Sequence, residues 1–149
     1  MKRSISRVKA LFMLYQYDLC NTDVNLDSFD NLLDEAKDDN EDNDYDHAFV
    51  LDLYNGVIAN LPTIDKVIAI NLDNYPLDRL SYVDRNILRI GTCELLYTDT
   101  PKKVIINEVI NMSKDYSETE DYKTSKFNNS VIDKIAKFIE ERKLNGTRN

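Results

Sequence analysis

The sequence predicts an all-α fold, and three observations carry that prediction. The 149 residues include only three glycines and three prolines, too few for the turns of a strand-rich sandwich. Apolar residues recur at spacings of three and four in segment after segment, the period of helices that bury one face. The third observation is the stretch 81–115, which reads as two helices joined by a tight corner. Its first helix is apolar almost all round: Val83, Ile87 and Ile90 form one stripe, Leu88, Gly91 and Leu95 flank it, and Cys93, Leu96 and Tyr97 cover much of the opposite side. Such a helix is enclosed by its neighbours, so the rest of the chain is expected to pack around it. Glu94 falls inside the same stripe, where an ionised carboxylate is costly unless it is paired.

The length suits one domain, expected over residues 1–143 with a frayed tail at 144–149. No apolar run approaches the roughly 20 residues of a bilayer span, and no secretory apolar core follows the basic N-terminus. A cytoplasmic protein is expected. Cys20 and Cys93 stand alone and far apart, which indicates reduced thiols and neither a disulfide framework nor a metal knuckle. The net charge of −8 argues against indiscriminate coating of nucleic acid, but it conceals an asymmetry. Residues 1–20 carry Lys2, Arg3, Arg7 and Lys9 against Asp18 alone, whereas residues 21–47 carry eleven acids against Lys37 alone. From Lys123 the chain turns basic again. If its two ends meet, they form a basic patch on an acidic body.

The first helix is expected over residues 4–20, with Val8, Leu11, Phe12, Tyr15 and Leu19 facing the core and Lys2, Arg3, Arg7 and Lys9 in solvent. Cations in a first turn oppose the helix dipole, and their placement hints at an external anion. A second amphipathic helix, 26–36, carries Leu26, Phe29, Leu32, Leu33 and Ala36. It dissolves into an acidic loop at 38–46 that superficially resembles a calcium loop, but Asn43 stands where the turn needs glycine and Phe49 where a bidentate Glu is needed. His47, the only histidine, has no second ligand or nucleophile beside it, which leaves a surface or capping role. A third helix is expected over 45–60, ended by Asn60, Leu61 and Pro62, and a fourth from Thr63 through Leu72, fading before Pro76.

Ser81 followed by Asp84 is close to a capping box and starts the central helix. At the corner, Thr100 is a candidate N-cap and Pro101 occupies the favoured first helical position. Glu94, one turn before this corner, is within reach of the backbone N–H groups that open the next helix, and Arg85 and Arg89 are candidates to pair with Glu108 or Asp84. Asn107 and Glu108 interrupt the apolar run of helix 102–114 and are assigned structural roles, as is Glu94. A last helix, capped by Thr124 or Ser125, carries Phe127, Val131, Ile132, Ile135, Phe138 and Ile139 to about residue 142. The tally is about seven helices.

These residues resemble a known family. Met1-Lys2-Arg3, Arg7, Lys9-Ala10-Leu11, Leu14, Gln16 and Asp18 are similar to the first helix of the NusB family of bacterial transcription antitermination factors. The likeness is more specific later, in Val83-Asp84-Arg85, Ile87-Leu88-Arg89-Ile90-Gly91, Glu94-Leu95-Leu96-Tyr97, Pro101, Lys103-Val104, Ile106-Asn107-Glu108, Lys126-Phe127, Asn129, Val131 and Asp133-Lys134-Ile135. Residues 21–79 match in helical rhythm only. Departures are Ser4 for a basic residue, Val8 for Glu, Ser113 for Ala, Asn128 for Val, Ser130 for Gly, and a longer loop at 117–124.

The resemblance implies two packed helical subdomains and a non-enzymatic role without cofactor or metal. It implies binding of the single-stranded boxA element of ribosomal RNA transcripts, jointly with the ribosomal small-subunit protein NusE, within a transcription elongation complex. Lys2, Arg3, Arg7, Lys126, Phe127 and Asn129 are then the expected RNA-binding residues, and Tyr15 and Asp84 lie on or near the NusE-binding surface. Phosphate contacts and base stacking on an aromatic ring are the chemistry such RNA requires. Core packing is the competing reading for Phe127, whose neighbours Val131 and Ile135 are core-like. The alternative function is a helical protein-interaction module with weak or lost RNA binding. No glycine-rich phosphate loop or nucleophile–histidine pair supports an enzyme.

Overall fold

The computed structural model describes residues 2–27, 45–117 and 123–147, and within them six α-helices and no strand. They are α1 (Lys2–Cys20), α2 (His47–Ala59), α3 (Leu61–Ile70), α4 (Tyr82–Tyr97), α5 (Lys102–Tyr116) and α6 (Lys123–Thr147), with one 3-10 turn, Leu77–Arg79, leading into α4. The all-α expectation holds. Of the helix expected over 26–36, Leu26 and Asp27 are helical and the remainder lies outside the described residues, as do most of the acidic stretch with its calcium-loop pattern and the 118–122 part of the long loop. Among the described residues, no helix is long and apolar enough to cross a membrane.

Helix α4 packs against each of the other five helices, which makes it the centre the apolar pattern predicts. Every residue from Asn86 through Glu94 is buried. Gly91 sets the spacing: a Cβ there would lie 2.7 Å from Cγ2 of Val109 and 2.9 Å from Cδ1 of Ile132, so its absence lets α5 and α6 close on α4. Ser81 caps the helix by accepting from the Asp84 N–H at 3.1 Å, and its hydroxyl donates to the Asp84 carboxylate at 2.9 Å. The capping-box expectation is met with the hydroxyl, and not the Ser81 backbone, as the carboxylate's donor.

Several boundaries and faces differ from the sequence reading. The buried face of α1 is Ser6, Arg7, Ala10, Leu11, Met13 and Leu14, while Leu19 is exposed and Val8, Phe12 and Tyr15 are half-buried. The apolar arc was centred too far toward the bulky residues, because Ala10 and the paired Arg7 supply the close-packed side. Pro62 does not end a helix; it sits in the first turn of α3, where its missing N–H costs nothing, and Thr63 is not the cap. Asp46, not His47, caps α2, accepting from the Phe49 N–H at 3.1 Å; exposed His47 instead meets the Tyr45 hydroxyl at 2.7 Å. Thr100 does not cap α5, whose N-cap position is Pro101. Helix α6 starts at Lys123, ahead of both expected caps, and continues to Thr147, past the expected start of the tail.

Arg85 and Arg89 pair with neither Glu108 nor Asp84. Arg89 makes two bonds to Asp65, at 2.8 and 2.9 Å, and a third to Asp18 at 3.2 Å, while Arg85 lies 3.5 Å from Asp18. This network ties α4 to α3 and α1 through acids remote in sequence.

Cys20 is exposed and Cys93 buried. Burial, assisted by the charge of Glu94, pushes the Cys93 thiol from 9.0 up to about 12. The folded protein therefore holds that proton where the unfolded chain releases it, and the associated stability, complete below pH 9.0, is lost as pH rises toward about 12. At about pH 8 a thiol reagent should label Cys20 promptly and Cys93 only after denaturant is added, since the thiolate is the reactive form. Equal labelling rates in the native protein would contradict this placement.

Candidate nucleic-acid interface

Lys2 and Arg3 are exposed at the start of α1, and the Arg3 guanidinium lies 4.8 Å from the centre of the Phe49 ring. Arg7, one turn on, lies 5.2 Å from the same ring but is only 2% exposed, so the expectation of a solvated cation is wrong there. Its Nε and Nη2 donate to the two carboxylate oxygens of Glu94 at 2.7 and 2.8 Å, and Nη1 stands 3.9 Å from Glu108. Burial alone would lower the Arg7 pKa, but the hydrogen bonds and charge of Glu94, with Glu108 behind them, reverse the sign and raise it. Glu94 is thus paired with Arg7 of α1, and the corner adds only a 3.5 Å contact from the Thr100 hydroxyl. The proposed clasp to the N–H groups of α5 is replaced by an ion pair. Lys9 is buried as well, with its ammonium 4.2 Å from the Tyr45 ring centre.

The basic end of α6 is built differently. Lys126 is exposed, and Phe127 and Asn129 are half-buried. The Phe127 ring packs partly against the core and partly on Tyr75, with centroids 5.6 Å apart and planes tilted by 57°. These two rings share a cavity of about 460 Å³ with Arg79, Ser81, Asp84 and Lys123. Phe127 therefore partakes of both readings, core packing on one side and an open cavity on the other. Tyr75 and Arg79 escaped sequence reasoning, for they lie in the turn and 3-10 segment before α4, where no periodicity marks a side chain's direction.

Asp84 forms a wall of that cavity and is half-buried. Its carboxylate accepts from Ser81 at 2.9 Å, from the Asn128 amide at 3.0 Å and from the Ser117 hydroxyl. The Asn128 amide also donates to Ser113 at 2.9 Å, so two departures from the resemblance, Ser113 and Asn128, are partners. On the other side of the first turn of α4, Tyr82 meets Tyr15 edge to face at 6.1 Å, and Tyr116, next to Ser117, meets Phe12 at 5.2 Å. Tyr82 and Tyr116 are 40% and 42% exposed, which gives an aromatic surface around Tyr15 and Asp84.

The two basic ends of the chain do not meet directly. Arg3 shares a cavity with Pro101 and Val104 at the start of α5, whereas Lys126 and Asn129 share one with Ile110 and Lys114 near its end. Ten residues of helix separate Val104 from Lys114, about 15 Å at 1.5 Å per residue. Between the two ends runs an exposed stripe of α5, Lys103, Asn107, Asn111 and Lys114, whose spacing puts them on one face. Asn107 is thus at the surface, although its place in an apolar run suggests an inward, structural side chain. Glu108 keeps a structural place, accepting from Ser4 at 2.7 Å and facing Arg7.

A sequence model described as the NusB family matches residues 4–137. The chain is similar to the transcription antitermination protein NusB of Staphylococcus aureus (strain MRSA252), at 36% identity over 137 residues, covering 92% of this chain and all of that one. The Staphylococcus haemolyticus (strain JCSC1435) protein of the same name is 38% identical over 135 residues, covering 91% and 99% of the two chains. Among solved structures, T. maritima NusB superposes with a TM-score of 0.70 at 35% identity over 92% of both chains. A crystal structure of antitermination factors NusB and NusE in complex with dsRNA matches with a TM-score of 0.70 at 29% identity, over 91% of this chain and 96% of that one.

Proposed function

From the premise that this chain belongs to the NusB family, we infer that it is a transcription antitermination factor. It binds boxA RNA of ribosomal RNA transcripts together with the ribosomal protein NusE, and so helps RNA polymerase resist termination. It acts by binding, without catalysis, in the cytoplasm where transcripts emerge. The observation that carries the reading is the aromatic pair Phe127 and Tyr75 beside the cations Arg79 and Lys123 in one cavity, on a scaffold similar to one crystallised with NusE and RNA.

Unstacked bases of single-stranded RNA lie on aromatic faces while Lys and Arg hold the phosphates. Phe127 is the stacking platform, Lys126, Lys123 and Arg79 hold phosphates around it, and Asn129 supplies an amide for a base edge. Lys2 and Arg3 hold the strand at the other end of α5, and the amides of Asn107 and Asn111 lie along the path between. Arg7 contributes by fixing α1 against Glu94 and not by touching RNA. NusE docks on the surface of Tyr15, Tyr82 and Tyr116 next to Asp84, and the acidic body of the chain, net −8, favours encounter with a basic ribosomal protein.

Titrating boxA RNA against a scrambled RNA, with and without NusE, over a salt series tests this function. Affinity should fall with salt by a slope of about −0.7 per phosphate contact, and Arg3→Ala should flatten the slope by about that amount. NusE should raise affinity for boxA more than for the scrambled strand. If it does not, the chain is a protein-interaction module on this scaffold and the antitermination reading fails.

A further inference from the structure

A second charged feature lies well away from the RNA-facing cavity. Between α3 and the last turns of α6 runs a groove of about 520 Å³, floored by Val67, Ile70, Leu96 and Phe138. Phe138 and Arg142 lie 11 and 15 residues beyond Phe127 on the same helix, about 17–22 Å along its axis. Ile70 is 51% exposed and extends the apolar floor to the surface. The rim is Lys66, Arg142 and Lys143, and among the described residues no acidic one lines the groove. Arg142 rests over the Phe138 ring at 4.7 Å, and neither Lys66 nor Arg142 pairs with a carboxylate among the described residues. On a chain of net charge −8, this is a local reversal of sign around an apolar floor.

We propose that this groove receives an acidic amphipathic helix of a partner protein. Its wall on α3 is Thr63, Lys66, Val67 and Ile70, at spacings of three and four, a straight helical ridge of the kind that seats a second helix. The floor takes the partner's apolar stripe, and the rim cations meet carboxylates on either side of it. A basic ribosomal protein carries the wrong sign for this rim. RNA matches the sign, but Arg142 already stacks over the Phe138 ring at 4.7 Å, and Val67, Ile70 and Leu96 offer no flat face for a base.

The test uses the full chain and a labelled, helix-stabilised synthetic peptide with Leu at positions i, i+3, i+4 and i+7 and Glu elsewhere. A control peptide carries Lys in place of Glu. The acidic peptide should bind at least about tenfold more tightly than the basic one, a difference of about 1.4 kcal/mol. Ile70→Glu and Lys66→Glu should each weaken it by about tenfold, with the thermal midpoint and boxA affinity unchanged. Amide shift changes should centre on residues 63–70 and 138–143. Equal binding of the two peptides, binding of neither, or a footprint elsewhere overturns the proposal. So does loss of boxA affinity in Ile70→Glu, which would make RNA the occupant, or abolition by Ile70→Glu of a self-association seen in sedimentation, which would make it a second copy of this chain.

Discussion

Glu94→Gln should lower the stability of the folded protein by about 3–5 kcal/mol, the usual cost of removing one partner of a buried ion pair. Glu94 is 1% exposed and accepts two hydrogen bonds from Arg7, itself 2% exposed. The amide keeps one acceptor and turns the other into a donor facing a guanidinium, leaving a buried positive charge among Phe49, Cys93 and Val104 with Glu108, 3.9 Å away and not hydrogen-bonded to it, as the remaining carboxylate. Thermal unfolding followed by circular dichroism should move down by roughly 10 °C or more. Replacing both partners, as Arg7→Met with Glu94→Leu, should recover most of the loss, because the desolvation cost disappears with the charges. An unchanged midpoint in the single variant would refute the buried pair. Arg7→Ala, which on the sequence alone looks like a test of RNA contact, instead tests the scaffold.

Phe127→Leu should weaken boxA RNA binding by about 5- to 150-fold, the range for losing one base stack of roughly 1–3 kcal/mol. Leucine keeps the apolar volume that Phe127 lends to the core but offers no flat π-face. The unfolding midpoint should therefore shift little while RNA affinity, read by fluorescence anisotropy, falls. Phe127→Tyr, which keeps the face, should bind nearly as well as the parent. Retained affinity in Phe127→Leu would place the stack elsewhere.

The central position of α4 was legible because its apolar residues surround it, a pattern with one structural solution. Glu94 was legible as an anomaly but its partner was not: Arg7 is 87 residues away, and a helical wheel ranks an arginine beside an apolar arc as solvated. The same blindness sent Arg89 to the wrong acids, since Asp65 and Asp18 become its neighbours only once α1 and α3 are packed. At the candidate site, Lys126, Phe127 and Asn129 could be named through the resemblance, whereas Tyr75 and Arg79 come from segments without a repeat. Asn107 was misplaced for the converse reason. Its apolar neighbours in sequence, Ile106 and Val109, point to other sides of α5.

The carboxylate of Asp84 stands between two surfaces. One of its walls faces the Phe127 cavity, while its helical turn carries Tyr82 on the aromatic side, and its three donors come from the α4 cap, the end of α5 and the first turns of α6. Occupancy on either side that tightens this knot lowers the ordering cost on the other, a cooperativity that needs no large movement. Thermodynamic linkage then makes the effect mutual: the factor by which RNA raises affinity for the protein partner equals the factor by which that partner raises affinity for RNA. Asp84→Asn should reduce both factors together, as read by titrating each ligand with and without the other.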